Sequence, residues 1–111
     1  MIKEWAFGLD DVPKRELYMQ LLDSANAWCN AELPRLVQVA DPTQAVEGAK
    51  LADRLMYQLR QGVAAVLVMV GSLGGDADTT FDIRLWGTAS SDGTAAELRV
   101  HAFLVDKEDA D

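Results

Sequence analysis

His101 is the only histidine of the chain and Cys29 its only cysteine. These two residue types carry much of the general-base and nucleophile chemistry open to a protein at neutral pH. A Cys–His mechanism needs the pair in contact and a third group to orient the base. His101 falls mid-strand in an alternating segment, beside Arg84, and Cys29 falls on the apolar stripe of a helix. The two are expected to point apart, so no catalytic residue is assigned and the chain is read as a non-enzyme.

Metal and phosphate chemistry fare no better. One Cys and one His cannot build a structural zinc site, and a single Cys forms no intrachain disulfide. A reducing compartment is the simplest reading. Asp76, Asp78 and Asp82 offer oxygen ligands, and Asp76-x-Asp78-x-Thr80 resembles the start of a calcium loop. Such a loop needs glycine at its sixth position and glutamate at its twelfth; those places hold Phe81 and Gly87. Gly71-Ser72-Leu73-Gly74-Gly75 has the composition of a phosphate cradle. It lacks the Gly-Lys-Ser/Thr ending, precedes a strand rather than a helix, and adjoins two aspartates that repel an anion. Asp10-Asp11 and Glu108-Asp109 are adjacent carboxylates in exposed segments, not a pair across a cleft. No metal and no cofactor is expected.

What remains is a surface. The last two strands pair so that Trp86, Phe103 and Val105 share a face with Asp82, Arg84, Glu97, Arg99 and His101. Aromatic and arginine anchors in a polar surround have the makeup of an interaction hot spot. Trp86, Phe103, Asp82 and Glu97 are therefore the candidate contacts, with Asp76 and Asp78 in the adjoining loop to steer a partner. Two plainer arrangements compete: Trp86 stacking on Arg99 with nothing bound, or helices covering this face as well.

The elements that must place these residues follow from periodicity and capping. Ile2 to Phe7 alternates and predicts an edge strand with Trp5 and Phe7 on one face. Asp10 or Asp11 as N-cap and Pro13 in the first turn predict a helix. Its stripe is Tyr18, Leu21, Leu22, Ala25, Trp28, Cys29 and Leu33, and Pro34 should end it near Glu32. Residues 35–40 read equally as a short strand or as helical turns. Asp41-Pro42-Thr43-Gln44 opens a second helix, with Ala45, Ala49, Ala52, Met56, Leu59 and Val63 on one face, widened by Val46 and Leu55. Gly62 reads as its left-handed stop. The valine-rich run 64–70 then reads as an internal strand, with a continued helix as the alternative, and residues 71–78 as a loop. Residues 79–88 and 94–105 form a hairpin around Asp92-Gly93, a two-residue turn signal. Paired residue numbers then sum to 185, which puts Phe81 opposite Leu104, Ile83 opposite Ala102 and Leu85 opposite Val100. Ser90-Ser91 leaves room for a longer loop. The predicted class is α+β: two amphipathic helices on a small antiparallel sheet of three to four strands, in the order (β)-α-α-β-β-β.

The whole chain is 111 residues long, which suits one domain, 1–105, with a frayed acidic tail, 106–111. Eighteen acids against ten Lys and Arg give a net charge of −8. Nine acids and three bases lie in residues 71–111, so that part carries −6. Such a charge disfavours direct nucleic-acid and anionic-membrane binding and favours basic surfaces. No apolar leader and no run near the roughly 20 residues of a bilayer span is seen, so a cytoplasmic location is expected. The leading expectation is a small acidic protein-binding domain, of inhibitor, immunity or adaptor type, that blocks a basic protein partner. A self-associating homodimer is the alternative, and a ligand binder or enzyme with a pocket between helices and sheet the second.

Overall fold

A computed structural model describes residues 2–38, 43, 45–90 and 94–105. The chain is an α+β domain in the element order β-α-α-β-β. Strands β1 (Ile2–Pro13), β2 (Thr80–Ser90) and β3 (Ala96–Leu104) form an antiparallel sheet in the order β1-β2-β3. Helices α1 (Leu17–Leu36) and α2 (Ala45–Leu73) are joined to it on one side, α1 against β1 and α2 against β2 and β3. Between them they bury Leu21, Leu55 and Val66 against Phe81, Ile83 and Leu85 of the sheet. Each such side chain contributes roughly 1.5–3 kcal/mol by leaving water.

The hairpin has the expected register. Phe81 pairs with Leu104, Ile83 with Ala102 and Leu85 with Val100. Its turn, including Asp92-Gly93, lies outside the described residues, as do the tail 106–111 and the cap residues Asp41, Pro42 and Gln44. The N-terminal edge strand is present with Trp5 and Phe7 buried, but it continues to Pro13. Asp10 and Asp11 therefore do not cap a helix. They form a bulge: Leu9 pairs with Ile83 and Val12 with Phe81, so three steps of β1 match two of β2. Asp11 takes the positive φ of 53° that the bulge requires, and Val12 returns to the core at 1% exposure.

α1 follows a short 3-10 turn, Lys14–Glu16, and runs past Pro34 to Leu36. Leu33 and Leu36 are both buried, and their burial carries the last turn through the proline. The buried stripe is Leu17, Leu21, Ala25, Leu33 and Leu36, with Trp28 and Cys29 packed beside it. Tyr18 and Leu22 fall on its exposed margin.

α2 differs most from expectation. Residues 64–70 are helical, not a strand, and Gly62 lies inside the helix. Val63, Val66 and Val70 continue the stripe of Leu51, Leu55 and Leu59, while Ala64 and Val68 face outward. The run thus obeys the helical period. The weak helix propensity of valine, about 0.5 kcal/mol each, is outweighed by its burial. Ala45, Ala49 and Val46 are exposed, so the buried face is rotated from the alanine-rich one. The left-handed stop is Gly74, at φ 81°, followed by Gly75 at φ 95°. Among the described residues no helix is long and apolar enough to cross a membrane.

Candidate functional site

Both helices lie on the Trp5–Phe81–Val100 side, so the other face of the sheet is left open. Strand alternation turns Ala6 and Gly8 of β1, Asp82, Arg84, Trp86 and Thr88 of β2, and Glu97, Arg99, His101 and Phe103 of β3 onto this face. The arrangement with helices on both sides is thereby corrected.

Three rings form a ladder on the open face. Trp86 and His101 stand with centroids 5.0 Å apart at 67°, and His101 and Phe103 at 5.6 Å and 68°. These edge-to-face contacts suit ring quadrupoles. Trp86 is directly opposite Arg99, yet its ring neighbour is His101; Arg99 turns to Glu97, whose Oε1 accepts from its Nε at 3.0 Å. Phe103 is 50% exposed, while Trp86 is half-buried.

Arg84 is the polar centre of the face. Its guanidinium donates to the Leu9 carbonyl at 3.1 Å, the Ile83 carbonyl at 2.7 Å and Asp10 Oδ1 at 2.6 Å. The Asp10 hydrogen bond raises its already high pKa, so it stays charged. Gly8 makes this crossing possible, since a Cβ there would lie 3.0 Å from Arg84 Nη1. Asp82, next along β2, accepts the Asp11 N–H at 2.9 Å and holds the bulge. Alternation had placed Arg84 and His101 on this face; Gly8 is the site residue that composition and spacing did not single out. The signal was indirect: two small residues on the outward positions of β1.

The acids expected to steer a partner do not gather in one patch. Asp76 Oδ1 accepts from the backbone of Asp78 at 3.0 Å and of Thr79 at 3.1 Å, and from Thr79 Oγ1 at 3.1 Å. The backbone N–H of Asp78, then the Thr79 bonds, hold the Asp76 carboxyl below the usual carboxylate range. Asp78 pairs with Arg15. Lys14 Nζ donates to the carbonyls of Gly74 at 3.2 Å and Gly75 at 3.0 Å, where the C-terminus of α2 favours a cation. The loop is therefore tied to the start of α1. Asp82 and Glu97 sit near opposite ends of the hairpin, about 20 Å apart at 3.3 Å per residue along β2.

A second concave feature runs along the β1 edge. A groove of about 610 Å³ is lined by Trp5, Ala6, Trp28, Glu32, Arg35 and Gly87, among others. Trp5 and Trp28 rings are 5.7 Å apart, and Arg35 pairs with Glu32 at 2.8 Å. Trp5 lies over Gly87, where a Cβ would come within 2.7 Å of its ring; its buried indole N–H has no hydrogen-bond partner among the described residues.

His101 and Cys29 are not brought together. Its ring neighbours are Trp86 and Phe103, and Cys29 packs in the helical layer on the far side of the sheet. No group of three or more His, Cys, Asp or Glu among the described residues could hold a metal ion. Fold and surface together define an open-faced α+β two-layer domain. Comparison with protein-family models, curated proteins and solved structures finds no match.

Proposed function

We propose that this is a non-enzymatic protein-binding domain that docks a basic partner protein on the open face of its sheet. The observation that carries the reading is the Trp86–His101–Phe103 ladder on the face turned away from both helices of the described residues. Rings held in fixed edge contacts lose little side-chain entropy on binding, and their apolar area is already collected in one row. The net charge of −8 supplies long-range attraction to a basic surface. Blocking is steric: a partner seated on Trp86 and Phe103 has its basic surface covered. Glu97 and Asp82 are rim contacts at the two ends of the row. Asp76, bonded within its own loop, and Asp78, paired with Arg15, add charge to the field rather than contacts.

The test is binding of a purified basic partner, first captured from the native host, to the intact chain and its variants. Trp86→Ala and Phe103→Ala should each weaken binding at least tenfold, and added salt should slow association. Tyr57→Ala, on the solvent side of α2, should leave affinity unchanged. Affinity indifferent to salt and to both ring deletions would overturn the reading.

A further inference from the structure

The two edges of the sheet are finished differently. β1 carries the Asp10–Asp11 bulge and ends in Pro13, and the guanidinium of Arg84 takes up the Leu9 carbonyl. β3 has none of these devices: Ala96–Leu104 runs without a bulge, proline, glycine or lysine. Edge strands of this kind are templates for another strand.

The direction of the unpaired groups is set by the ladder. Ser90 N–H donates to the Ala95 carbonyl at 2.8 Å and Val105 N–H to the Thr80 carbonyl at 3.0 Å. Odd-numbered residues of β3 therefore use their backbone groups on β2. Ala96, Leu98, Val100, Ala102 and Leu104 point theirs away from β2, to the free side, where no further strand of the described residues pairs.

We propose that this edge pairs with the β3 edge of a second copy of the chain, in the register that sets Glu97 opposite Arg99 of that copy. The charge pattern of the strand selects this occupant and this register. Antiparallel pairing through the free side sets even residues opposite even ones. The outward odd side chains then meet at the closer, non-hydrogen-bonded positions. A two-fold axis at Leu98 puts Glu97 against Arg99 and Arg99 against Glu97, with Ala96 facing Val100 on the inner side. An axis at Arg99 would oppose two guanidinium groups. An axis at Val100 would oppose Glu97 to Phe103. Only the first matches every charge, and it does so twice because the contact is isologous. The product is a continuous six-stranded sheet, with both helical layers on one side and both ring ladders on the other. This goes beyond the partner-binding reading, and the two stand or fall separately.

Sedimentation velocity over a concentration series tests it. The intact chain should self-associate to a dimer. Ala96→Pro removes an N–H from the free side only, at an exposed position, so it should abolish the dimer while Trp86 and Phe103 remain in place. Glu97→Arg and Arg99→Glu should each weaken association at least tenfold, and the double reversal should restore it. Circular dichroism of each variant confirms that it is folded. A chain that stays monomeric at every concentration overturns the inference. So does a dimer that survives the proline and both single reversals, or one that the double reversal fails to restore.

Discussion

Gly62 of α2 and Leu85 of β2 meet so closely that a methyl group on Gly62 would stand 2.2 Å from Leu85 Cδ2. This contact sets how near the helix lies to the sheet, and it puts Val100 of β3 within 3.4 Å of the same point. Gly62→Ala should therefore destabilise the protein despite the gain in helix propensity. Overpacking costs about 1–3 kcal/mol, against about 1 kcal/mol returned by alanine. Gly71, nine residues along the same helix, has nothing within 4 Å of its would-be Cβ. Gly71→Ala should stabilise by roughly 0.5–1 kcal/mol. Urea unfolding of the two variants compares them directly. Equal stability of both would contradict the tight contact between Gly62 and Leu85.

The Asp76 turn should leave a mark on acid stability. Its carboxyl is held below the ordinary range by bonds that favour the anion, first the Asp78 N–H and then Thr79. A group whose folded pKa is depressed contributes stability fully present above its unfolded pKa, near 3.9 for Asp, and lost as pH falls through the folded value. Asp76→Ala should thus melt below the parent protein at pH 7, and the gap should close as pH drops below about 4. Melting curves across acid pH check this. A gap constant with pH would mean that the carboxylate charge contributes nothing to the turn.

Cys29 should be a slow nucleophile. Burial pushes its thiol pKa up, and the nearby Arg60 guanidinium only partly opposes the shift. The reactive species is the thiolate, so less of it exists at neutral pH than for a free cysteine. Iodoacetamide should alkylate the folded protein more slowly than a cysteine peptide, with the midpoint of the rate–pH profile displaced upward. Unfolding in urea should erase the difference. A folded rate equal to that of the peptide would contradict the burial.

Much of the hairpin was legible without coordinates. Alternation from Phe81 to Leu85 and from Val100 to Leu104 fixes the parity of the pairing, because a slip of one residue would turn the apolar set outward. A slip of two would not, and the pairing of Phe81 with Leu104 selects among the registers that Ser90-Ser91 left open. The outward set, Trp86, His101 and Phe103 among charges, follows from the same alternation. Other elements were ambiguous for physical reasons. Asp10-Asp11-Val12-Pro13 suits a helix cap and a bulge equally. The bulge prevails because it returns Val12 to the core opposite Phe81. The run 63–70 is apolar at every position but Ala64 and Ala65 soften it little, so periodicity alone could not separate strand from helix.

By itself, then, the sequence determined the α+β class, the parity of the hairpin pairing and the residues that share its polar face. These are set by neighbours along the chain and across one turn. Only the tertiary structure decided that Gly62 is a packing contact, that Asp76 holds its own loop while Asp78 ties it to Arg15, and that the ring ladder lies away from both helices. Each depends on which surfaces meet. Both helices have a single apolar stripe and the sheet offers its larger apolar area on one side, so both helices settle there and the face bearing Trp86 stays open.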